Sequence, residues 1–507
     1  MDLVEERQWA TKVFWSIVAL HVLVWSILPE LVRYAPSYDL IEAANWSQYL
    51  DWGYDKNPWV IGWITRLGIE LSCGKNFLGY YFIQQLFIGL SFWSIWQLGK
   101  QLFRPLHALI AVLILEGCLY FSTAVQTNND NFALVGFLTL ATYTFFTACK
   151  TPQAKYGLIT GVALGCAVMT KYSAALLMPW MLIYLLTTKD ARNNFSPLGL
   201  YGGIILFLLI CLPNVIWLTQ HDFVTIRYLF TRQDIQITNF WAQHFYYPLD
   251  FCFKILLGIL PCLLLLLTTA PFKIKHALVA AAHNERKFLL LLGLGPLATI
   301  VFFAMIFKWQ LYWEWGVPFI PFLGLIIVSY YQPSLTKHKS QIFVGSVLLI
   351  MLLMATGYYL ADTRWQAGRG SADYPARAVA NHVTAIWQQQ FHTPLRYVAG
   401  SRYVAGMVAF YSKDKPHVFA EWNILYSSQI DKEKLKKYGA VFVNDGYFGT
   451  KVLPWAKDDT NTTHFPTWVL KAYPTLKILP IQIFPYHRNQ NTHEVVKLLI
   501  GILPPGG

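Results

Sequence analysis

Two carboxylates, Asp39 and Glu42, stand three residues apart in Tyr38-Asp39-Leu40-Ile41-Glu42. On a helix, residues i and i+3 share a face, so both could point at one site. Asp55-Lys56 follows a short way on, Asp130 lies in Asn128-Asn129-Asp130-Asn131, and Lys171-Tyr172 sits between two apolar runs. His221-Asp222 and Arg227 occupy a longer polar stretch, and Lys308 and Glu314 flank a later run. A carboxylate in such a place can act as a general base or hold a divalent cation. A basic side chain there can bind a phosphate. The combination suits chemistry in which a phosphate leaves from a lipid-linked substrate. Plainer roles stand beside it: helix capping for Asp39 and Glu42, turn formation for the Asn/Asp cluster at Asp130, interfacial anchoring for Lys171 and Arg227, and an ordinary loop histidine at His221. Glu116, inside an apolar run, reads as an internal structural partner. Asp250 and Lys254, at i and i+4, read as a mutual ion pair.

The frame that positions these groups is a membrane. Of 507 residues, 55% are hydrophobic and only 13% charged, with a mean hydropathy of +0.39. A soluble domain carries about 25% charged residues, so an all-soluble reading is excluded. The 16% aromatic content excludes disorder and, with 20 Trp and 29 Tyr, suits many membrane–water interfaces. The net charge of +13 admits nucleic-acid binding in principle. The layout of Lys and Arg instead assigns the excess to cytoplasmic loops, and no nucleic-acid partner is expected. The seven cysteines match no zinc or CxxC spacing.

Apolar runs near 12–31, 79–102, 106–122, 131–149, 156–170, 173–188, 198–218, 246–270, 288–307, 315–331 and 341–361 predict about eleven transmembrane helices. The two runs over 156–188 are short and could form a re-entrant hairpin instead. The first run lacks a convincing cleavage site and reads as a retained anchor. With the N-terminus in the cytoplasm, Arg7, Lys12, Lys100, Arg104, Lys150, Lys155, Lys189, Arg192, Lys273, Lys275, Arg286, Lys287, Lys337 and Lys339 all fall inside. Residues 362–507 then lie outside.

The chain thus divides into a transmembrane domain, 1–361, with long outer loops at about 33–78 and 219–245, and a small soluble α/β domain, 362–507. In the first loop, Ser47–Leu50 and Trp59–Leu71 carry helical apolar spacing and read as interfacial amphipathic helices. In the outer domain, Arg396–Val404 and Ala440–Val443 read as strands and Asp431–Tyr438 as a helix. The singled-out acids and bases other than Glu116, Asp250 and Lys254 then gather at the outer face, where long ordered loops usually carry function.

Taken in order, these segments resemble the polyprenyl-phosphate-sugar-dependent glycosyltransferases of family 39, in the bacterial branch related to aminoarabinose transferases and protein mannosyltransferases. The likeness runs through Asp39–Glu42, Trp46–Tyr54 and Asn57-Pro58, which look like that family's first-loop signature. Asp55-Lys56 sits where aminoarabinose transferases carry an acid–lysine pair. Asn129-Asp130 resembles the second-loop aspartate, and Gly161–Pro179 with Thr170-Lys171-Tyr172-Ser173 the Gly-rich span ending in a Lys-Tyr turn. Trp217–Arg227 matches another segment, and Leu395–Tyr411 the start of the small outer domain. The set covers most of the chain; each motif alone is weak. Two departures stand out. Two residues separate the Asp and Glu that are adjacent in many relatives, and Glu314-Trp315 replaces a His-Trp.

The resemblance implies a GT-C fold in the inner membrane, with the outer domain in the periplasm. It implies inverting transfer of a sugar from a polyprenyl-phosphate donor to an envelope acceptor such as lipid A, lipopolysaccharide or another glycan. Asp39 would be the base or would position the acceptor, with Glu42 beside it. Lys56, Lys171 and Arg227 would stabilise the leaving phosphate, supported by Asp55, Asp130 and His221. A divalent cation held by Asp39 and Asp130 could assist. Within the family, protein O-mannosyl transfer is the closest rival. A secondary transporter would place its charges near the bilayer midplane, often in inverted repeats; here they gather at one interface and no repeat is visible. An inactive assembly factor would not need acids and bases to converge.

Overall fold

The protein is described by a computed structural model over residues 2–126, 130–232, 239–269, 272–273, 282–330, 332–333, 335–368, 370–445, 464–488 and 494–507. Asn128 and Asn129 of the expected aspartate turn, residues 233–238 of the second expected loop and residues 446–463 of the outer domain, apart from stretches just given, lie outside them.

The membrane part runs α1 (Leu3–Val32), α2 (Tyr38–Trp46), α3 (Val60–Leu71), α4 (Leu78–Leu102), α5 (Pro105–Leu113), α6 (Asn131–Lys150), α7 (Ala154–Thr170), α8 (Leu177–Thr187), α9 (Lys189–Asn194), α10 (Pro197–Gln220), α11 (Val224–Arg232), α12 (Tyr247–Leu267), α13 (Ala282–Phe307), α14 (Leu323–Tyr330) and α15 (Lys337–Leu360). A short antiparallel pair, β1 (Phe272–Lys273) with β2 (Gln332–Pro333), joins two connections. The outer part adds α16 (Ala376–Phe391), β3 (Tyr397–Gly400), α17 (Arg402–Tyr411), β4 (His417–Ala420), α18 (Lys432–Tyr438), β5 (Ala440–Asn444), α19 (Thr467–Ala472), β6 (Lys477–Ile478), β7 (Gln482–Pro485) and β8 (Val495–Leu503).

Each expected apolar run contains helix, but the count of eleven spans is not confirmed. Among the described residues, six helices are long and apolar enough to cross a membrane: α1, α6, α10, and those within Ala242–Leu267, His283–Phe307 and Lys337–Trp365. A seventh span is possible if Trp313–Phe319 and α14, bent by 57°, act as one. The shortfall has local causes. α4 buries Gln84, Gln85, Ser91 and Ser94. The run after α5 tightens into 3₁₀ turns at Ile114–Gly117 and Leu119–Phe121, and Pro105–Gly117, α7 and Tyr172–Thr187 are short. In the apolar interior, α7 and α10 approach through Gly157, Gly161, Gly199 and Gly203: a Cβ on Gly157 would stand 2.5 Å from the Gly199 carbonyl carbon. Small residues spaced by four let helix backbones meet where lipid offers no hydrophobic drive. Glu116 does pair internally, accepting from or sharing a proton with His21 Nδ1 at 2.8 Å, and Asp250 pairs with Lys254 at 2.6 Å.

The outer sheet has the order β4-β3-β5-β8-β6, with β7 also on β8. β3 is parallel to β4 and β5, and β8 is antiparallel to β5, β6 and β7. Asp431 caps α18, accepting from Glu433 and Lys434 amides. Two sequence expectations are corrected. The strand expected over Arg396–Val404 stops at Gly400, because α17 begins at Arg402. Ser47–Leu50 is no helix; α2 ends at Trp46, and the chain turns there. The helix expected over Trp59–Leu71 is α3.

The C-terminal α/β part is packed against the membrane part rather than hung from it. Leu40 and Ile41 of α2 and Tyr80 and Tyr81 of α4 share one apolar cluster with Val404, Met407 and Val408 of α17. Gly406 permits the close approach: a Cβ there would stand 2.7 Å from the Asn45 amide and 2.9 Å from Ile41. That contact delivers the first residue of α17, Arg402, to the acids of the first loop.

Candidate active site

Ser37 opens α2, its hydroxyl accepting from the Leu40 amide, and so sets Asp39 in the first turn. A negative charge there also meets the positive end of the helix dipole. Asp39 is exposed, while Glu42, one turn on, is buried. Asp55 and Lys56 ride the tip of a narrow loop. Gly53 pairs with Pro58, and the Tyr54 amide donates to the Asn57 carbonyl at 2.9 Å.

Glu42 is held by two cations through one oxygen. Lys56 Nζ donates to its Oε1 at 2.5 Å and Arg402 at 2.7 Å. The other arm of Arg402 reaches Asp55 at 2.6 Å, and Asp55 also accepts from Trp46 Nε1 at 3.0 Å. Glu421 completes the group, accepting from the Arg402 amide at 3.1 Å with its carboxylate 3.8 Å from Nε. Rings cover the cations: Tyr38 and Tyr228 lie 5.6 and 5.3 Å from Lys56 Nζ, and Tyr426 lies 4.8 Å from the Arg402 guanidinium. Burial works against ionisation of Glu42, but Lys56 and Arg402 outweigh it and hold the carboxyl below its ordinary range. Burial pushes Glu421 up to about 7 despite Arg402. Burial disfavours the Lys56 ammonium, yet Glu42 raises its pKa overall. The network is therefore closed and close to charge balance, the condition under which buried ions are tolerable.

The second group is open. Asp130 precedes α6, and Lys171 follows α7, its Nζ donating to Asn131 Oδ1 at 2.9 Å and lying 3.3 Å from Asp130. The Trp315 ring lies 6.0 Å from the same ammonium, and Asn131 donates to the Glu314 carbonyl at 3.1 Å. Asp39 feels the charges of both groups. Among the described residues no hydrogen bond or ion pair holds its carboxylate. Burial, then the charge of Glu42, push its carboxyl up to about 6, with Asp130 adding to the rise and Lys56 and Lys171 opposing it. Asp39 is thus accessible only within a recess walled by protein, where water solvates it poorly.

Of the residues singled out from sequence, the structure brings Asp39, Glu42, Asp55, Lys56, Asp130 and Lys171 together. Arg227 sits further out on α11. It is exposed, 3.7 Å from a still more exposed Asp222, and lines a groove of about 470 Å³ with Tyr228, Asn423, Tyr426 and Trp468. His221 is spent locally: its ring stacks on Trp217 at 4.1 Å and Nδ1 meets the Trp217 carbonyl at 2.8 Å. Asp39 and Asp130, expected to hold a cation, do feel each other's charge. Yet Lys171 already sits on Asp130, and among the described residues no group of three or more His, Cys, Asp or Glu could hold a metal ion. The side chains present do not by themselves fit a metal. Sequence reasoning missed Arg402, Glu421 and Asn131. A lone arginine inside the apolar stretch Tyr397–Phe410 was the available signal, since arginine is almost never buried unless paired.

Comparison with known proteins agrees with the resemblance read from sequence. Residues 56–217 match the family described as dolichyl-phosphate-mannose-protein mannosyltransferase. The lipid A galacturonosyltransferase RgtD of Rhizobium johnstonii is 28% identical over 36% of this chain and 38% of its own length. An undecaprenyl phosphate-alpha-4-amino-4-deoxy-L-arabinose arabinosyl transferase of Pseudomonas fluorescens is 28% identical over 44% of this chain and 42% of its own. The chain therefore spans less than half the length of these curated relatives. The fold likeness is more extensive. The crystal structure of ArnT from Cupriavidus metallidurans in the apo state superposes with a TM-score of 0.62 at 17% identity, over 96% of this chain and 98% of that one. The same protein bound to undecaprenyl phosphate gives 0.59 at 16% identity. The architecture is thus the GT-C fold of that enzyme.

Proposed function

We propose that the protein is an inverting glycosyltransferase of the inner membrane. It moves a sugar from a polyprenyl-phosphate donor to an envelope lipid or glycan on the periplasmic face, with its N-terminus in the cytoplasm. The observation that carries this reading is the recess itself: an unpaired carboxylate, Asp39, within the electrostatic reach of two lysines brought from different loops. Relatives named for lipid A and for undecaprenyl-phosphate-linked aminoarabinose, and a fold neighbour solved with undecaprenyl phosphate, support the substrate class.

In this reading the acceptor hydroxyl attacks the anomeric carbon as the bond from that carbon to the phosphate oxygen breaks. Asp39 takes the hydroxyl proton. A carboxyl raised to about 6 is ionised at neutral pH yet more basic than an ordinary aspartate. Lys56 and Lys171 stabilise the charge that builds on the leaving polyprenyl phosphate. Glu42 and Asp55 support the site through the network rather than touching substrate. Arg227, at the rim, meets the donor or acceptor more weakly.

The match to a mannosyltransferase family over residues 56–217 favours one alternative acceptor, a protein hydroxyl. Mass spectrometry of envelope lipids, polysaccharides and proteins, with and without the gene, separates the two. A sugar lost from a lipid or glycan supports the main reading, a sugar lost only from protein supports the alternative, and no lost sugar in any fraction contradicts both.

A further inference from the structure

The least expected feature of the site is that Lys56, proposed above to meet the donor phosphate, is held by Glu42. A lysine bound to a buried carboxylate cannot leave it for a phosphate unless another cation stays on that carboxylate, because an abandoned buried charge is costly. Arg402 meets that need. It contacts the same Glu42 oxygen at 2.7 Å, and its second arm is fixed on Asp55, the neighbour of Lys56 in the loop. Its side chain is 3% exposed, Trp46 fixes the Asp55 acceptor from behind, and Glu421 holds the Arg402 backbone amide. The guanidinium is therefore immobile, whereas Lys56 ends a flexible stem flanked by two ring faces and is 11% exposed. Of the two cations on Glu42, Lys56 is the one able to turn away.

We propose that Arg402, supplied by the C-terminal domain, is the positioning residue that frees Lys56 for the donor phosphate: it keeps a cation on Glu42 while the ammonium exchanges the carboxylate for the phosphate. No bond is made or broken in this step, and the total charge is unchanged. The outer domain is thereby part of donor recognition without touching the donor. The inference rests on Lys56 as a phosphate ligand.

The account separates a positioning role from a merely structural one through a double-variant cycle. Without Arg402, Glu42 retains Lys56 as its only counter-ion, and phosphate binding falls. Removing the Glu42 charge as well releases Lys56, and binding returns. If Arg402 only braced the fold, the second change would not help. Binding of undecaprenyl phosphate to the purified full-length protein in lipid nanodiscs is the measurement. Arg402→Gln should weaken it about tenfold or more. Arg402→Gln with Glu42→Gln should return to within about threefold of the parent. Should Arg402→Gln not fold, Arg402→Lys keeps the charge but reaches one carboxylate at a time. It should give a smaller loss that Glu42→Gln likewise reverses. A double variant no better than its Arg402 parent, or an Arg402→Gln protein that binds like the parent, overturns the proposal. Lys56→Ala separates the two levels: if it leaves binding unchanged, the phosphate role of Lys56 fails, and the counter-ion exchange fails with it.

Discussion

Asp39 and Glu42 are one helical turn apart and chemically alike, yet their surroundings are opposite. Glu42 faces a closed network in which Lys56 and Arg402 hold it at 2.5 and 2.7 Å. Asp39 faces an open recess, and among the described residues no cation lies within ion-pair distance of it. Surrounding protein disfavours the charge of both carboxyls; cations offset this at Glu42 and not at Asp39, so one carboxyl is held low and the other is raised to about 6. Fully paired buried charges are tolerated by a structure. A raised, unpaired carboxylate in a cleft marks a candidate for chemistry.

The largest test of that contrast is Asp39→Asn. Asn keeps the size but cannot take a proton, so the variant should fold and insert normally yet transfer sugar about a hundredfold or more slowly. Next come the lysines. Lys171→Ala and Lys56→Ala should each cost about 1.5–3 kcal/mol of leaving-phosphate stabilisation, roughly tenfold or more in single-turnover rate. Arg227→Ala, at an exposed position, should cost only about 0.2–1 kcal/mol, a fewfold change. An Arg227 effect as large as that of Lys171 would move the phosphate outward, into the groove beside Tyr228. Glu42→Gln should slow transfer by less than about tenfold. Because the Glu42 charge raises the Asp39 carboxyl, the same change should shift the acid limb of activity to lower pH. The smallest effect is on stability. Glu42 is held below its ordinary value of 4.5, so its contribution is present above that pH and lost as pH falls below it. Thermal unfolding scanned downward from about pH 6 should show this loss in the parent protein, reduced in Glu42→Gln.

How much of this was legible in the sequence follows from the range of each interaction. The i,i+3 spacing of Asp39 and Glu42, the Asp250–Lys254 pair and the internal role of Glu116 are local or compositional, and all could be read. The partner that closes Glu42 lies 360 residues away, and no periodicity carries that distance. The misread strand has a sharper cause. The tetrapeptide Tyr-Val-Ala-Gly occurs twice, at 397–400 and 403–406. The first copy is β3, paired between β4 and β5; the second lies within α17, where its glycine meets Asn45. Identical residues take two conformations because their neighbours differ, and intrinsic preference is too weak to resist that. The count of eleven spans is left unconfirmed for a related reason. Hydrophobic runs mark apolar surroundings, and in this bundle 3₁₀ turns and short helices occupy such surroundings as readily as full spans.

The central claim is that Asp39 is the base because its carboxylate is left unpaired in a poorly hydrated recess. The most direct measurement is the pH dependence of single-turnover transfer from an undecaprenyl-phosphate sugar by the purified protein. The groups facing Asp39 are Glu42, Lys56, Asp130 and Lys171. The account predicts a rate that is level above neutrality and falls about tenfold per pH unit below a pKa of about 6, with that limb absent from the residual activity of Asp39→Asn. A parent profile level from about pH 5 to 8, or an acid limb that survives in Asp39→Asn, would contradict it.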